Sequence, residues 1–195
     1  MKIIFFGNAD FGIPALNKIL SSKENSLLGV VTNTDRKSGR GNLLSSTPIK
    51  KWADEKNINI FQVENLKNLK LINCLAQEKA DLFLVIAYKI LLPEIFNIPH
   101  YGTMNLHASL LPKYRGAAPI QRAILDGKKN TGISTFIIDE KIDRGKVVLQ
   151  EKISISDKDN YSSLYVKLSN AGGDLVLRSI NNLKNNLPLK NQEKE

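Results

Sequence analysis

The chain has 195 residues, a formal net charge of +9 and a sequence pI near 9.6. Apolar residues make up 42% of the chain and charged residues 24%, proportions that allow a sizeable core and match an ordinary globular protein. No apolar run reaches about 18 residues, which excludes a membrane span, and the single Cys74 excludes an internal disulfide and suits a reducing cytoplasm.

Strand-like and helix-like segments alternate along the chain. Short apolar runs predict strands at residues 3–6, 27–31, 58–62, 82–87, 103–106, 132–138 and 147–155. Helical spacing of apolar residues predicts helices at residues 11–20, 48–56, 69–79, 118–125 and 161–183, with a short helical turn from 91–93 and a polar loop at 34–46. Thr47 and Pro48 are typical of a helix start, and Gly172 and Gly173 predict an interruption of the last helix.

This order predicts an α/β fold. Nearly continuous apolar strands indicate a Rossmann-like, open, mostly parallel but mixed sheet with helices on both faces. One domain is expected over residues 1–187, and residues 188–195 are expected to be a tail or the start of a linker. Ligands of such sheets bind beyond the carboxyl ends of the strands, where Gly7, Asn105 and His107 fall. The turn at 7–12 lacks the Gly-x-Gly start of a dinucleotide fingerprint, so no such site is predicted.

Three polar residues are the candidates for a catalytic site: Asn105, His107 and Asp143. Asn105 and His107 are two positions apart in a predicted strand, so their side chains point to the same face. An amide and an imidazole on one face could donate hydrogen bonds to a carbonyl oxygen that becomes negative during a reaction. Asp143 could take a proton or hold the histidine in its charged form.

Two other kinds of site find less support in the sequence. A serine hydrolase built on Ser109, His107 and Asp143 is a formal alternative, but Ser109 lacks the Gly-x-Ser-x-Gly turn. A zinc site lacks ligands, because the chain has two histidines and one cysteine without suitable spacing. We therefore expect no metal.

Positive charge is concentrated in two regions. Residues 36–53 carry five basic side chains and no acid, and residues 95–125 carry Lys113, Arg115 and Arg122 and again no acid. A polyanionic partner is one explanation, and a solvated basic face in a lysine-rich chain is the other.

The segment NLHASLLPKYRGAAPIQR at residues 105–122 closely resembles the formyl-transfer domain of the methionyl-tRNA formyltransferases, and the resemblance extends from Lys2 to about Leu187. The loop DRKSGRG at 35–41 matches a loop of the members that formylate tRNA, and further matches lie at residues 7–11, 85–88, 91–93, 131–132 and 139–145. Glycinamide ribonucleotide formyltransferases share the Asn, His and Asp but look less alike elsewhere, and sugar-nucleotide formyltransferases are the closer rival.

The resemblance implies transfer of a formyl group from 10-formyltetrahydrofolate to the amino group of methionyl-initiator-tRNA, in translation initiation. By that likeness Asn105, His107 and Asp143 are the catalytic residues. The folate would contact a larger set of residues, which are Ile86, Tyr88, Leu91, Ser109, Leu110, Leu111, Pro112, Asp139, Glu140 and Ile142. Formylation of an amino-sugar nucleotide, or a folate- or RNA-binding module without turnover, remains the alternative.

The same likeness implies that the tRNA acceptor end is bound by Arg36, Lys37 and Arg40. Neither a membrane partner nor an oligomer is expected. The chain departs from the family pattern at Lys141, where glycine is expected and a positive φ would be strained, and at Arg144, where threonine is expected. The resembling enzymes also carry a second, β-barrel domain, so the chain is expected to be either a fragment or a naturally short form.

Overall fold

A computed structural model describes residues 1–38 and 43–193 of the chain. Within this part the strands are β1 (Lys2–Gly7), β2 (Ser26–Asn33), β3 (Arg36–Ser38), β4 (Leu43–Ser45), β5 (Ile60–Val63), β6 (Leu82–Ile86), β7 (Thr103–His107), β8 (Asn130–Ile137) and β9 (Val147–Ser154). The helices are α1 (Ile13–Ser21), α2 (Pro48–Glu55), α3 (Leu69–Gln77), α4 (Pro93–Phe96), α5 (Pro119–Leu125) and α6 (Tyr161–Lys184).

Seven strands form one sheet in the order β5-β2-β1-β6-β7-β8-β9. The strands from β5 to β7 pair in parallel, whereas β8 and β9 pair antiparallel. The predicted α/β fold with a mostly parallel, mixed sheet is therefore confirmed. The carboxyl ends of β1, β2, β6 and β7 point to one edge, where a ligand of such a sheet is expected.

The sheet is covered by helices on both faces. Successive residues of β1 alternate between two buried clusters, because strand side chains point to opposite faces: Ile3 and Phe5 pack with α1, α2 and α6, and Ile4 and Phe6 pack with α3 and α4. Burial on both faces explains why the strands are continuously apolar. No helix in the described ranges is long and apolar enough to cross a membrane.

The predicted interruption of the last helix is wrong, because α6 runs unbroken through Gly172 and Gly173. A Cβ at Gly172 would lie 2.6 Å from Leu106 Cδ2, and a Cβ at Gly173 would lie 3.1 Å from the carbonyl carbon of Pro14. The two glycines therefore allow α6 to approach the sheet and α1 closely, which outweighs their low helix propensity of about 1 kcal/mol each.

The polar loop predicted at residues 34–46 contains a short antiparallel hairpin, in which Arg36 pairs with Ser45. Asp35 fixes its base, since Lys50 Nζ donates to Asp35 Oδ2 at 2.6 Å and Gln62 Nε2 donates to Asp35 Oδ1 at 3.0 Å. The hydrogen bond from Lys50 holds the pKa of the Asp35 carboxyl below its usual value. The hairpin follows β2 and so extends from the ligand-binding edge of the sheet.

The polar tail predicted as a linker or frayed end is held to the domain at two described residues. The main chain of Lys190 pairs with Val147, with N–H···O distances of 2.8 and 2.9 Å. Gln192 Nε2 donates to the carbonyl oxygens of Asp143 and Gly145 at 2.9 and 2.8 Å. The tail therefore supports the loop that carries Asp143.

Candidate functional site

A cavity of about 1420 Å³ opens at the carboxyl ends of β1, β6 and β7. Asn105, His107 and Asp143 all line it, and together we name them the polar lining. The segment after β6 and the start of α4 contribute an apolar lining, which consists of Ala87, Ile90, Leu91, Leu92 and Phe96. The polar and apolar linings thus share one cavity that is larger than the roughly 300–1,000 Å³ of an ordinary ligand pocket.

Strand β7 places Asn105 and His107 on the cavity side, as their spacing predicts. Asn105 lies in register between Val85 of β6 and Phe136 of β8, in the interior of the sheet. Its side-chain amide makes no hydrogen bond to any residue that the structure describes. The amide is therefore available to a ligand in the cavity.

His107 is 8% exposed and contacts polar atoms on both sides of its ring. Its Nε2 lies 2.8 Å from the carbonyl oxygen of Tyr114, and its Nδ1 lies 3.6 Å from Asp143 Oδ2. Because a carbonyl oxygen only accepts, Nε2 carries a hydrogen in this arrangement. The contact to Tyr114 fixes the ring so that Nδ1 faces the carboxylate.

Asp143 is held by its carboxylate and by its main chain. Its Oδ2 accepts a hydrogen bond from the Gly116 N–H at 2.7 Å, and its carbonyl oxygen accepts from Arg115 Nε at 3.1 Å as well as from Gln192. Asp143 has a φ of 51°, a left-handed conformation that aspartate tolerates better than most residues. These contacts bring the carboxylate to His107 across 36 residues of sequence.

The backbone strain expected at Lys141 is absent from the loop before Asp143. The positive φ lies at Asp143 and not at Lys141, whose N–H instead donates to Asp139 Oδ1 at 2.8 Å. Lys141 is therefore compatible with this turn. Gly145 has a stricter requirement, since a Cβ there would lie 1.7 Å from the carbonyl oxygen of Ile137.

Tyr114 and Gly116, for which no role was predicted, hold His107 and Asp143 through main-chain atoms. Tyr114, Gly116 and Ala118 have φ values of 57°, 81° and 57°, so the chain turns repeatedly between β7 and α5. Arg122 Nη2 donates to the carbonyl oxygen of Arg115 at 2.5 Å and ties this segment to α5. The only available signal was the YRG sequence inside the segment that carries the family resemblance.

The residues predicted to contact folate fall into two groups. Five of them line the cavity, namely Tyr88, Leu91, Asp139, Glu140 and Ile142. The other five do not line it: Ile86 is fully buried in β6, Leu110 lines a second cavity, and the remaining three are Ser109, Leu111 and Pro112. Ser109 Oγ donates to the carbonyl oxygen of Lys113 at 2.5 Å, so this hydroxyl is not paired with His107 as a serine nucleophile would be.

Tyr88 stands out on the apolar side of the cavity. Its ring packs edge-on against Phe6 with centroids 5.9 Å apart, and its buried hydroxyl has no hydrogen-bond partner among the described residues. Burial raises the pKa of Tyr88 to about 12, so the hydroxyl is neutral in the physiological range.

Aromatic residues that the sequence analysis did not single out line another part of the cavity. Phe11 and Tyr165 pack edge-on with centroids 5.0 Å apart, and Tyr161 packs on Tyr165. Burial and a hydrogen bond from the Tyr165 hydroxyl to Asp10 raise the pKa of Tyr165. The cavity therefore has a second apolar region near α6.

Two of the three predicted tRNA contacts lie in strand β3. Arg36 is exposed at the first position of β3, and Lys37 follows it in the strand. Arg40 lies outside the described residues. Among the residues that are described, no group of three or more His, Cys, Asp or Glu side chains is arranged to hold a metal ion.

Known proteins resemble this chain in sequence and in fold. The family model for formyl transferases matches residues 1–180. The chain is 45% identical over 185 residues to the methionyl-tRNA formyltransferase of Fusobacterium nucleatum and 46% identical over 183 residues to that of Thermodesulfovibrio yellowstonii. These matches cover 94% and 93% of the chain but 59% of each relative, so the chain spans somewhat under two thirds of their length.

Solved structures share the fold at lower identity. The phosphoribosylglycinamide formyltransferase of Bacillus halodurans superposes with a TM-score of 0.77 at 20% identity, over 94% of this chain and 95% of that one. At this level of identity the likeness describes the fold alone.

Proposed function

The chain belongs to the formyl transferase family, and we propose that it transfers a formyl group from 10-formyltetrahydrofolate to the amino group of methionyl-initiator-tRNA. The relatives at 45% and 46% identity carry the name of this activity. The observation that supports it most directly is the grouping of the unpartnered Asn105 amide with His107 and Asp143 on one cavity. We assign residues 1–187 as the catalytic domain and the cytoplasm as the site of the reaction.

The polar lining supplies what this reaction requires. The free amine of the methionyl group attacks the formyl carbon, and the formyl oxygen becomes negatively charged. The Asn105 amide donates one hydrogen bond to that oxygen, and the protonated His107 donates another from Nδ1, since its Nε2 already donates to the Tyr114 carbonyl oxygen. Donors of this kind contribute about 2.7–4 kcal/mol each to the transition state. The Asn105 amide has no hydrogen-bond partner among the described residues, so it can donate to the formyl oxygen without breaking a hydrogen bond to them.

Asp143 moves the proton in the proposed reaction. The attacking amine must lose a proton, and the departing N10 of tetrahydrofolate must gain one. The Asp143 carboxylate, whose Oδ2 lies 3.6 Å from His107 Nδ1, accepts the proton of the amine before this proton passes to N10. The products are formylmethionyl-tRNA and tetrahydrofolate, and no net proton is consumed.

The cavity is suited to the two substrates together. The apolar lining offers a surface for a flat pterin ring, and the main chain of residues 139–143 offers hydrogen-bonding groups for its polar edge. A volume of about 1420 Å³ leaves room for an amino-acid side chain beside the folate. We assign the aromatic region at Phe11 and Tyr165 to that side chain.

The hairpin supports binding of the nucleic acid. Arg36 is exposed, and Asp35 anchors the hairpin through Lys50 and Gln62. We propose that Arg36, Lys37 and Arg40 contact phosphates of the tRNA acceptor end. Each phosphate contact releases counterions, so binding is expected to weaken as salt concentration rises.

The test is a formyl-transfer assay with three acceptors at low and high salt. Wild-type protein and 10-formyltetrahydrofolate are mixed with initiator methionyl-tRNA, with the same tRNA lacking its amino acid, or with an amino-sugar nucleotide. The proposal predicts transfer to methionyl-tRNA alone, with a KM for tRNA that rises with salt. Transfer to the sugar nucleotide in preference to the tRNA would contradict it.

A further inference from the structure

A second cavity, of about 400 Å³, is lined in part by Tyr114 and has no role in the reaction proposed above. Of the described residues that line it, four are lysines and none is acidic; the lysines are Lys113, Lys128, Lys129 and Lys152. We name it the lysine cavity. Its lining comes from the segment after β7, from the start of β8 and from β9, which are far apart in sequence.

The lysine cavity lies at the same edge of the sheet as the catalytic cavity. His107, at the end of β7, pairs with Ser134 of β8. Strand β8 begins four residues before Ser134, at Asn130, so its first residue lies about 14 Å from Ser134 along the strand, past the end of β7. Tyr114 connects the two cavities, because its carbonyl oxygen contacts His107 Nε2 at 2.8 Å while the residue also lines the lysine cavity. One residue therefore separates the catalytic histidine from the cluster of lysines.

The charge of the lysine cavity is mostly uncompensated. Lys129 pairs with Asp157, but Lys113, Lys128 and Lys152 form no ion pair with any acid in the described ranges. The Asp126 carboxylate accepts a hydrogen bond from the hydroxyl of Tyr114, which lines the cavity, at 2.6 Å. Three like charges around one concavity repel each other and attract an anion.

A buried polar group in the same lining lacks a partner. Thr131 lines the lysine cavity and is 4% exposed, yet its hydroxyl makes no hydrogen bond within the described residues. Buried hydroxyls in folded proteins are nearly always paired. A ligand oxygen bound between the lysines is a suitable partner for it.

We propose that the lysine cavity binds backbone phosphates at the single-stranded end of the acceptor RNA while its aminoacyl terminus lies at His107. This inference rests on the function proposed above. The β3–β4 hairpin follows β2, on one side of the catalytic cavity. The lysine cavity lies at β8, on the other side, and in the sheet β8 is four strands and about 19 Å from β2. Two positive surfaces thus flank the cavity, which suits a charged strand that passes across it.

The test compares two triple variants of the whole chain. One variant carries Lys113→Gln, Lys128→Gln and Lys152→Gln. The control removes three exposed lysines from the loops before β2, β5 and β6, at the opposite edge of the sheet, and carries Lys23→Gln, Lys56→Gln and Lys79→Gln. Both lose the same net charge. Binding of deacylated initiator tRNA is measured over a series of salt concentrations.

The lysine-cavity variant is expected to reduce the magnitude of the negative slope of log K against log salt by about 2, since each lost single-strand phosphate contact contributes about 0.7. The control is expected to leave the slope unchanged, and kcat at saturating tRNA is expected to stay near wild type in both. Equal slopes in the two variants would overturn the proposal. A wild-type protein that binds tRNA through these lysines but does not formylate it would instead contradict the proposed function.

Discussion

The polar and apolar linings of the proposed active-site cavity are held in different ways. His107 and Asp143 are each fixed by a main-chain contact, to the Tyr114 carbonyl at 2.8 Å and the Gly116 N–H at 2.7 Å. The side chains of the apolar lining carry no hydrogen-bonding groups, and one of them, Ile90, is 72% exposed. Hydrogen bonds fix the groups that need a defined geometry for chemistry, whereas a binding surface needs shape and area. Substitutions in the polar lining should therefore lower kcat, and substitutions in the apolar lining should raise the KM for folate.

Asp143→Asn is expected to have the largest effect among the isosteric changes. Asparagine tolerates the left-handed φ of 51°, and its side-chain oxygen can still accept from the Gly116 N–H, so the fold should be retained. Loss of the charge removes the proton acceptor, and kcat should fall by about 10²–10⁴-fold in a single-turnover assay. As the control, Asp174→Asn removes a surface carboxylate paired with Lys18 and should leave kcat unchanged.

Asn105→Ala is expected to lower kcat by about 10²–10³-fold, because it removes one donor to the developing negative charge. The amide has no partner in the described structure, so its loss breaks no intramolecular hydrogen bond. The KM for folate and the free energy of unfolding, measured by urea titration, should stay close to wild type. A variant with wild-type kcat would remove Asn105 from the reaction.

Ile90→Ala tests the apolar lining with little effect on folding, because this side chain is largely exposed in the free protein. If folate covers about two of the lost methyl or methylene groups, the lost contact is about 1.6 kcal/mol, and the KM for 10-formyltetrahydrofolate should rise roughly tenfold. Leu125→Ala is the matched control, since Leu125 is 84% exposed and does not line the cavity. Equal KM values in the two variants would place folate elsewhere.

Tyr88→Phe is expected to have the smallest effect at neutral pH, because the hydroxyl that it removes is buried without a partner. Burial raises the pKa of Tyr88 from 10.0 to about 12, so the folded state holds this proton more strongly than the unfolded chain. The resulting stability is fully present below pH 10 and is lost as the pH rises towards 12. Urea titrations at pH 9 to 11 should therefore show a smaller alkaline loss of stability in the variant, and identical pH profiles would contradict this interpretation.

The features that could be predicted are those that the spacing of apolar residues along the chain determines. Continuous apolar strands indicated the parallel half of the sheet, and the alternation of strand side chains placed Asn105 and His107 on one face. The break expected in α6 was wrong because the sequence does not reveal which surface a glycine packs against. At Gly172 that surface is Leu106, which comes from another part of the chain.

The contacts that organise the polar lining could not be predicted, because they come from main-chain atoms. Every residue has a carbonyl and almost every residue has an N–H, so the sequence does not mark those of Tyr114 and Gly116. The contact of Asp143 with His107 depends on loop conformation and on Gln192 in the tail. The family resemblance suggested the pair, but spacing and periodicity contain no signal for it.

The most direct measurement is a single-turnover formyl transfer to initiator methionyl-tRNA with His107→Gln, alongside equilibrium binding of folate to the same variant. Glutamine is similar in size to histidine but carries no positive charge. The proposed chemistry predicts that transfer slows by about 10³-fold while the folate Kd stays within about twofold of wild type. Transfer at the wild-type rate would contradict the role of His107 and, with it, the assignment of this cavity as the place of formyl transfer.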